Sequence, residues 1–376
     1  YRHIRSNMVY QMSYSISENT RYDREKEKSI PYSWTLSWSI YTNSPHNYGQ
    51  AKIAGQEKKF ALYSVAFYNM ENLFDTIHDE GKNDYEYLPN GTNQWNTMKY
   101  KAKLKNMSEI LSMLSTDKLP MGPAIIGVSE IENYRVLEDI LKQPALADKG
   151  YQYVHYEGED RRGVDCAFFY NPKLFELTNS KLVPYVYIND TVHKTRGFLI
   201  ASGNIAGEKM HFIVNHWPSR AAASPARERA GEQVRAIKDS LLREDSAAKI
   251  VIMGDMNDDP MDKSMAVALG AKRKPADVGP TDLYNPWWDT LKKGYGTLMY
   301  KGKWNLFDQI VFTGNLLGTD RSTLKFYKHE IFRRDFMFQK EGKYKGYPKR
   351  TQAGGVWLNG YSDHLPTIIY LIKEVK

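Results

Sequence analysis

Along most of the chain, short apolar and β-branched runs alternate with stretches in which apolar positions recur every three to four residues. The short runs predict strands at 61–68 (ALYSVAFY), 123–129 (PAIIGVS), 150–156, 164–170 (VDCAFFY), 197–204, 210–216 (MHFIVNH), 249–254 (KIVIMG), 308–313 (DQIVFT) and 366–372. The longer period predicts helices over 99–115, 134–143 and 222–243. Turn signals between the middle strands leave no room for helical crossovers, so the pairing is expected to be mixed. Two sheets packed between helices use this inventory, which is an α/β pattern. Residues 1–59 differ: they are polar, rich in Ser, Tyr and Asn, and carry neither a helical period nor a positive-then-apolar signal segment. They read as a poorly ordered extension ahead of one domain over 60–376. The sequence opens on Tyr1 rather than Met, so localisation is not read from it directly.

Composition narrows the class. The chain has 376 residues, 41% hydrophobic and 26% charged, an ordinary globular balance for one large domain or two modest ones. No apolar run reaches the roughly 18 residues needed to span a bilayer. The single cysteine, Cys166, can form neither an internal disulfide nor a paired-cysteine zinc site, so stability must come from core burial. The net charge of +8 is weak evidence of an anionic partner, because residues 1–60 already hold nine Lys/Arg against five Asp/Glu. Segment 321–350 says more. Ten basic residues face three acidic ones there, interleaved with Phe326, Tyr327, Phe332, Phe336, Phe338, Tyr344 and Tyr347. That pattern suits phosphate contact with base stacking, and equally a solvated loop pinned by its aromatics.

Several apolar runs stop abruptly at a polar residue, where an α/β scaffold can hold reactive groups rigidly. The first runs into Asn69 in YNMENLFD and the second meets Glu130 in SEIEN. An amide oxygen and a carboxylate are hard ligands suited to Mg²⁺ or Mn²⁺, although each alone is more commonly a turn or cap residue. HFIVNHW ends in Asn215 and His216, and KIVIMGDMNDDP in Asp255 and Asn257. Asp255 could take a proton from water while Asn257 donates to a phosphoryl oxygen, and their spacing of two puts both on one strand face. The plain alternative is an Asp-rich turn. Asp308 opens DQIVF, and Asp363 and His364 follow Ser362 in GYSDHLP. A histidine held by a carboxylate has a fixed tautomer and can donate near neutral pH, whereas a lone histidine in a polar loop is usually a surface residue. The order of the whole set outweighs each member.

That ordered set resembles the endonuclease/exonuclease/phosphatase superfamily over residues 61–372, with GDMN and GYSDHLP as its most specific pieces. The resemblance implies a deoxyribonuclease I-like four-layer α/β sandwich, two mixed β-sheets flanked by helices, making 60–376 a catalytic domain. It implies a metal-dependent phosphoesterase site in which Glu130 is the principal ligand of Mg²⁺ or Mn²⁺, with Asn69 and Asp363 near the ion. It further implies that Asp308 orients His364, that Asp255 and Asn257 are the water-activating and phosphate-binding pair, and that His216 lies against the phosphate. The last feature belongs to the secreted deoxyribonuclease branch, where Asp165 in RRGVDCAFFYNP would supply a carboxylate for that histidine. Ser129 stands where many members have Gln, and Phe307 in KWNLFDQIVF speaks against inositide-cleaving relatives. SEIEN, VNHWPSR and GYSDHLP are most similar to bacterial secreted or cell-envelope nucleases, whose histidine is followed by an Arg-bearing loop. On that basis Asn215, Arg220 and Arg196 become phosphate contacts, with a solvated helix end as the alternative for Arg220. Trp287 and Trp288 would be a stacking platform or a core plug.

The resulting expectation is a monomeric, secreted or periplasmic phosphodiesterase of nucleic acid, DNA first, acting as an endonuclease. Two alternatives stand beside it: the same chemistry on phospholipid or inositol phosphate, and a non-catalytic nucleic-acid-binding module.

Overall fold

The fold is described from a computed structural model, which covers residues 48–53, 56–188, 190 and 192–375. The first sheet runs in the order β15 (Lys325–Ile331), β18 (Thr367–Val375), β2 (Gln56–Leu73), β3 (Ile125–Ile131), β5 (Asp165–Tyr170) and β4 (Gln152–His155), with β1 (Tyr48–Ile53) also paired to β2. The second runs β10 (Ala271–Lys272), β11 (Leu283–Tyr284), β14 (Asp308–Thr313), β9 (Lys249–Asp255), β8 (Glu208–His216), β7 (Phe198–Ile205) and β6 (Glu176–Val183). Both are mixed: β2 and β3 run parallel, as do β8 and β9, while β3–β5, β18–β2 and β14–β9 are antiparallel. Hairpins β12–β13 (Leu298–Tyr300, Lys303–Asn305) and β16–β17 (Gln352–Ala353, Val356–Trp357) stand outside the sheets.

Strand alternation sorts the apolar residues into layers. In β2, Val65 and Phe67 enter the cluster between the sheets, while Ala66 and Tyr68 face the other way. That outer face is covered by α1 (Thr97–Met113) and α2 (Tyr134–Leu141) through Leu104, Met107, Leu111, Val136 and Ile140. In β9, Val251 and Met253 point between the sheets, and Ile250 and Ile252 meet Ala230 and Val234 of α3 (Ser224–Glu244). A strand buried on both faces must be apolar throughout, which is why KIVIMG reads as an unbroken run. At Gly127 a Cβ would come 2.5 Å from Met253 Sδ, so the lack of a side chain there lets the two sheets close up. The result is the expected four-layer sandwich.

Three expectations shift. The ladder begins earlier than residue 61, since Tyr48 of β1 already pairs with Ala61 of β2; residues 1–47 lie outside the described residues. Strand β6 (ELTNSKLV) escaped the apolar pattern because it is an exposed edge strand, where polar residues discourage further pairing. Part of the basic segment is likewise sheet: in β15, Lys325 donates to the Asn315 carbonyl at 2.7 Å, and Lys328 lies 4.7 Å from the centre of the Tyr370 ring. Those two lysines are sheet-edge groups. Among the described residues no helix is long and apolar enough to cross a membrane.

Candidate active site

The polar ends of β2, β3, β8 and β9 converge with the start of β14 at one edge of the sandwich. Two bulges aim the first pair. The register of β2 slips between Asn69 and Leu73, with Glu71 and Asn72 at φ 46° and 52°, and that of β3 slips at Glu130, φ 60°. Such bulges bend a strand out of its ladder and redirect its side chains. Asn69 then donates from Nδ2 to Glu130 Oε1 at 3.2 Å and to Asp255 Oδ2 at 3.0 Å, stitching the two sheets together. Its Oδ1 accepts the Glu71 amide at 2.9 Å, which fixes the orientation of the side-chain amide. Asn69 thus presents hydrogens to the cluster, and the expectation that it offers an oxygen to a metal ion is corrected to a positioning role. Glu130 Oε2 accepts the Asn72 amide at 2.8 Å.

Sheet register places the second group. His216 of β8 and Asp308 of β14 are both cross-strand partners of Asp255 in β9. His216 Nε2 lies 3.7 Å from Asp255 Oδ2 and 3.8 Å from Glu130 Oε1. His364 is held from the far side: its Nδ1 is 2.7 Å from Asp308 Oδ2 and its Nε2 3.9 Å from Asp255 Oδ2 and from Asp363 Oδ1. Its backbone amide donates to Ser362 Oγ at 3.1 Å, and Ser362 Oγ donates to the Asn69 carbonyl at 2.8 Å, so GYSDHLP is tied to the end of β2. Asn257, at φ 52°, donates its backbone N–H to Asp255 Oδ1 and its side-chain amide to the Trp217 carbonyl at 3.1 Å.

Burial sets the protonation preferences. It pushes the Asp255 carboxyl above its ordinary range, opposed by His364 and reinforced by Asp308 and Glu130. Burial works against a charge on His364, yet Asp308 and Asp255 outweigh it and hold this imidazole well above its usual value. His216 moves the other way, lowered by burial and then by Arg196, Arg162 and His364.

The chain belongs to the endonuclease/exonuclease/phosphatase family. A family profile of that description matches residues 64–373. A second profile, large polyvalent protein associated domain 34, matches residues 1–68. Among solved structures, an endonuclease/exonuclease/phosphatase family protein from Bacteroides thetaiotaomicron aligns with TM-score 0.53 and 15% identity over 85% of this chain and 97% of that one. A mannosyl-6-phosphatase of Bacteroides thetaiotaomicron aligns at 0.51 and 15% identity, over 82% and 99%. ANGEL2, a 2′,3′-cyclic phosphatase, aligns at 0.52 and 12% identity, over 84% and 96%. At these identities the likeness is one of fold. No curated protein sequence matches. Family members are phosphoric ester hydrolases, and the acidic and imidazole groups of this edge suit that chemistry.

The donor set fits the divalent cation that such family members generally use. Donor atoms of Glu130, His216 and Asp255 lie within 4.8 Å of one another, and Asp363 presents Oδ1 beside His364. Burial is the main cause of the upward push on Asp255, and the Asp308 and Glu130 carboxylates add negative charge that a cation would offset.

Four expected residues have other partners. Asn215 is fully buried, donating to the Ile213 and Met253 carbonyls and accepting from Trp217 Nε1, so it packs beneath the site without facing it. Asp165 is not the carboxylate of His216. It lies 3.4 Å from His155 Nε2 instead. Arg196 is buried, paired with Asp160 at 3.0 Å and donating to the Trp217 carbonyl at 2.9 Å. Arg220 is drawn into the loop after β9 by Asp258, Asp259 and Asp262 at 3.4, 3.4 and 2.9 Å, with its guanidinium 4.4 Å from the Phe307 ring centre. Trp287 is a core plug whose Nε1 donates to the Ile310 carbonyl.

Other residues at the site went unpredicted. Buried Glu71 accepts from Arg350 Nε at 2.8 Å and the Thr351 amide at 2.7 Å, and Arg350 also pairs with Asp363 at 3.0 Å. Its place two residues after Asn69 was the available signal. Glu132, Asp75, Asn133 and Arg135 form a further lattice behind Glu130: Glu132 accepts the Asp75 amide, Asn133 caps α2, and Arg135 pairs with Asp75 at 2.6 Å.

Proposed function

We propose that this chain is a divalent-metal-dependent phosphodiesterase that hydrolyses nucleic acid, DNA first, by direct attack of water. The observation that carries the reading is Asp255, whose Oδ2 faces two imidazoles of opposite protonation preference at 3.7 and 3.9 Å. Glu130 and Asp363 would hold Mg²⁺ or Mn²⁺, which would supply Lewis-acid polarisation of the phosphate. Asp255 accepts the proton of the attacking water, a role suited by a carboxyl raised above its ordinary range. Charged His364, kept so by Asp308, donates to the phosphoryl group or the departing oxygen. Neutral His216 and the second amide hydrogen of Asn257 donate to the remaining phosphoryl oxygens.

The nucleic-acid assignment rests on the segment leading into Arg350. Its loop carries Lys340, Lys343 and Lys345 around half-exposed Tyr344, which lines the same cavity as Glu71 and Asn72. Basic and aromatic groups beside a phosphoesterase centre suit a polyanion with stacking bases. A second reading is a sugar phosphate. It is favoured by the same cavity, about 370 Å³, where Glu71, Glu86 and Asn93 offer hydroxyl partners beside Trp95, and by the mannosyl-6-phosphatase among the fold relatives.

The test is turnover of supercoiled plasmid against a hexose 6-phosphate, with Mg²⁺, Mn²⁺ or EDTA and with His364→Ala alongside. Metal-dependent nicking lost in the variant is expected. Phosphate release from the sugar with intact plasmid would transfer the assignment to the second reading.

A further inference from the structure

Asp165 opens β5, one strand outward from β3, with Ile131 as its cross-strand partner. Its nearest imidazole belongs to His155, which closes β4. The His155 side chain is only 4% exposed, and its Nε2 lies 3.4 Å from Asp165 Oδ2 without forming a hydrogen bond to any group. A buried ring nitrogen left this way calls for an explanation. Two residues on, Glu157 brings a second carboxylate, and one donor atom from each of His155, Glu157 and Asp165 falls within 4.8 Å of the others.

We propose that His155, Glu157 and Asp165 form a second metal site, for a divalent transition-metal ion of the zinc class. One imidazole and two carboxylates make a three-ligand set with room for water, and imidazole favours zinc-like ions over magnesium or calcium. The surroundings arrange the set in advance. The Gly158 amide donates to Asp165 Oδ2 at 3.0 Å, orienting the carboxylate. A Cβ on Gly158 would stand 2.2 Å from Asp165 Oδ1, so the loop backbone passes as close as glycine allows. Lys82 Nζ donates to the Gly158 and Asp160 carbonyls at 2.9 and 3.2 Å, and Asp160 is anchored by Arg196 at 3.0 Å. The ion would fasten the end of β4 to the start of β5 on the same edge as Glu130, one strand away.

The experiment separates the two sites by disabling the first. Full chain carrying Glu130→Ala is dialysed against micromolar Zn²⁺ and its metal content read by elemental analysis; Co²⁺ is then substituted and its visible absorption recorded. One bound ion per chain and a nitrogen-ligated Co²⁺ spectrum are expected. Adding Asp165→Asn should remove both. Because that carboxylate is buried, Glu157→Gln provides the gentler test: roughly tenfold weaker Zn²⁺ binding, with circular dichroism and metal-free melting unchanged. No ion bound by the Glu130→Ala protein, or the same occupancy and spectrum after Glu157→Gln and Asp165→Asn, overturns the proposal.

Discussion

His216 and His364 approach the same oxygen of Asp255 at almost equal distance, both deeply buried, yet their environments favour opposite charges. The difference lies on the far side of each ring. His364 Nδ1 meets Asp308 at 2.7 Å, whereas His216 Nδ1 has no hydrogen-bond partner and its ring feels Arg196 and Arg162. Burial acts alike on both, so the remote partner decides. Two histidines of one site can in this way serve as a charged donor and a neutral one.

The comparison can be broken most severely at Asp308. Asp308→Asn and His364→Ala should each lower kcat by roughly 10²–10⁴-fold, and the double variant should be no worse than the single ones if they act as a unit. Steady-state kinetics with saturating Mg²⁺ check this, and additive losses would refute the pairing. On the other side, Arg196→Met takes the nearer guanidinium from buried Asp160, which keeps the Arg162 backbone amide at 2.9 Å and the Arg162 guanidinium at 3.8 Å. It should cost about 3 kcal/mol of stability, read from the denaturant midpoint. His216→Ala should have the smaller catalytic effect, about 10–100-fold in kcat, because no carboxylate meets its Nδ1 as Asp308 meets that of His364. A loss equal to that of His364→Ala would erase the distinction drawn here. Arg220→Ala should change least: turnover within about twofold and stability lower by about 1 kcal/mol or less, since Arg220 is itself half-exposed and buried Asp258 keeps Arg227 at 2.9 Å.

The sequence disclosed the site through interruption. Apolar strands that stop at Asn69, Glu130, His216 and Asp255 are visible because burial forbids such residues earlier in the strand, and both sheets bring those endings to one edge. Direction was harder to read. Arg196 and Arg220 show their charge in the sequence but not the carboxylates that claim it, since Asp160 is 36 residues from Arg196. Asp165 was placed on the correct edge and given the wrong histidine, because β4 lies beside β5 and His155 comes with it. Glu71 and Arg350 are 279 residues apart, and no local pattern links them. The weakly apolar edge strand β6 was lost for the same reason that it is stable at an edge.

The position of β18 has a consequence for synthesis. It pairs with β2 on one side and β15 on the other, so the strand made last among those described is an interior strand of the first sheet. His364 immediately precedes it in the chain. A ribosome that has already produced Asn69, Glu130 and Asp255 therefore carries an open sheet with a gap beside β2, and an incomplete reactive centre. A chain stopped before His364 would lack both this interior strand and the imidazole that meets Asp308: the last inner strand of the sheet and the last group of the reactive centre arrive within a few residues of each other in translation.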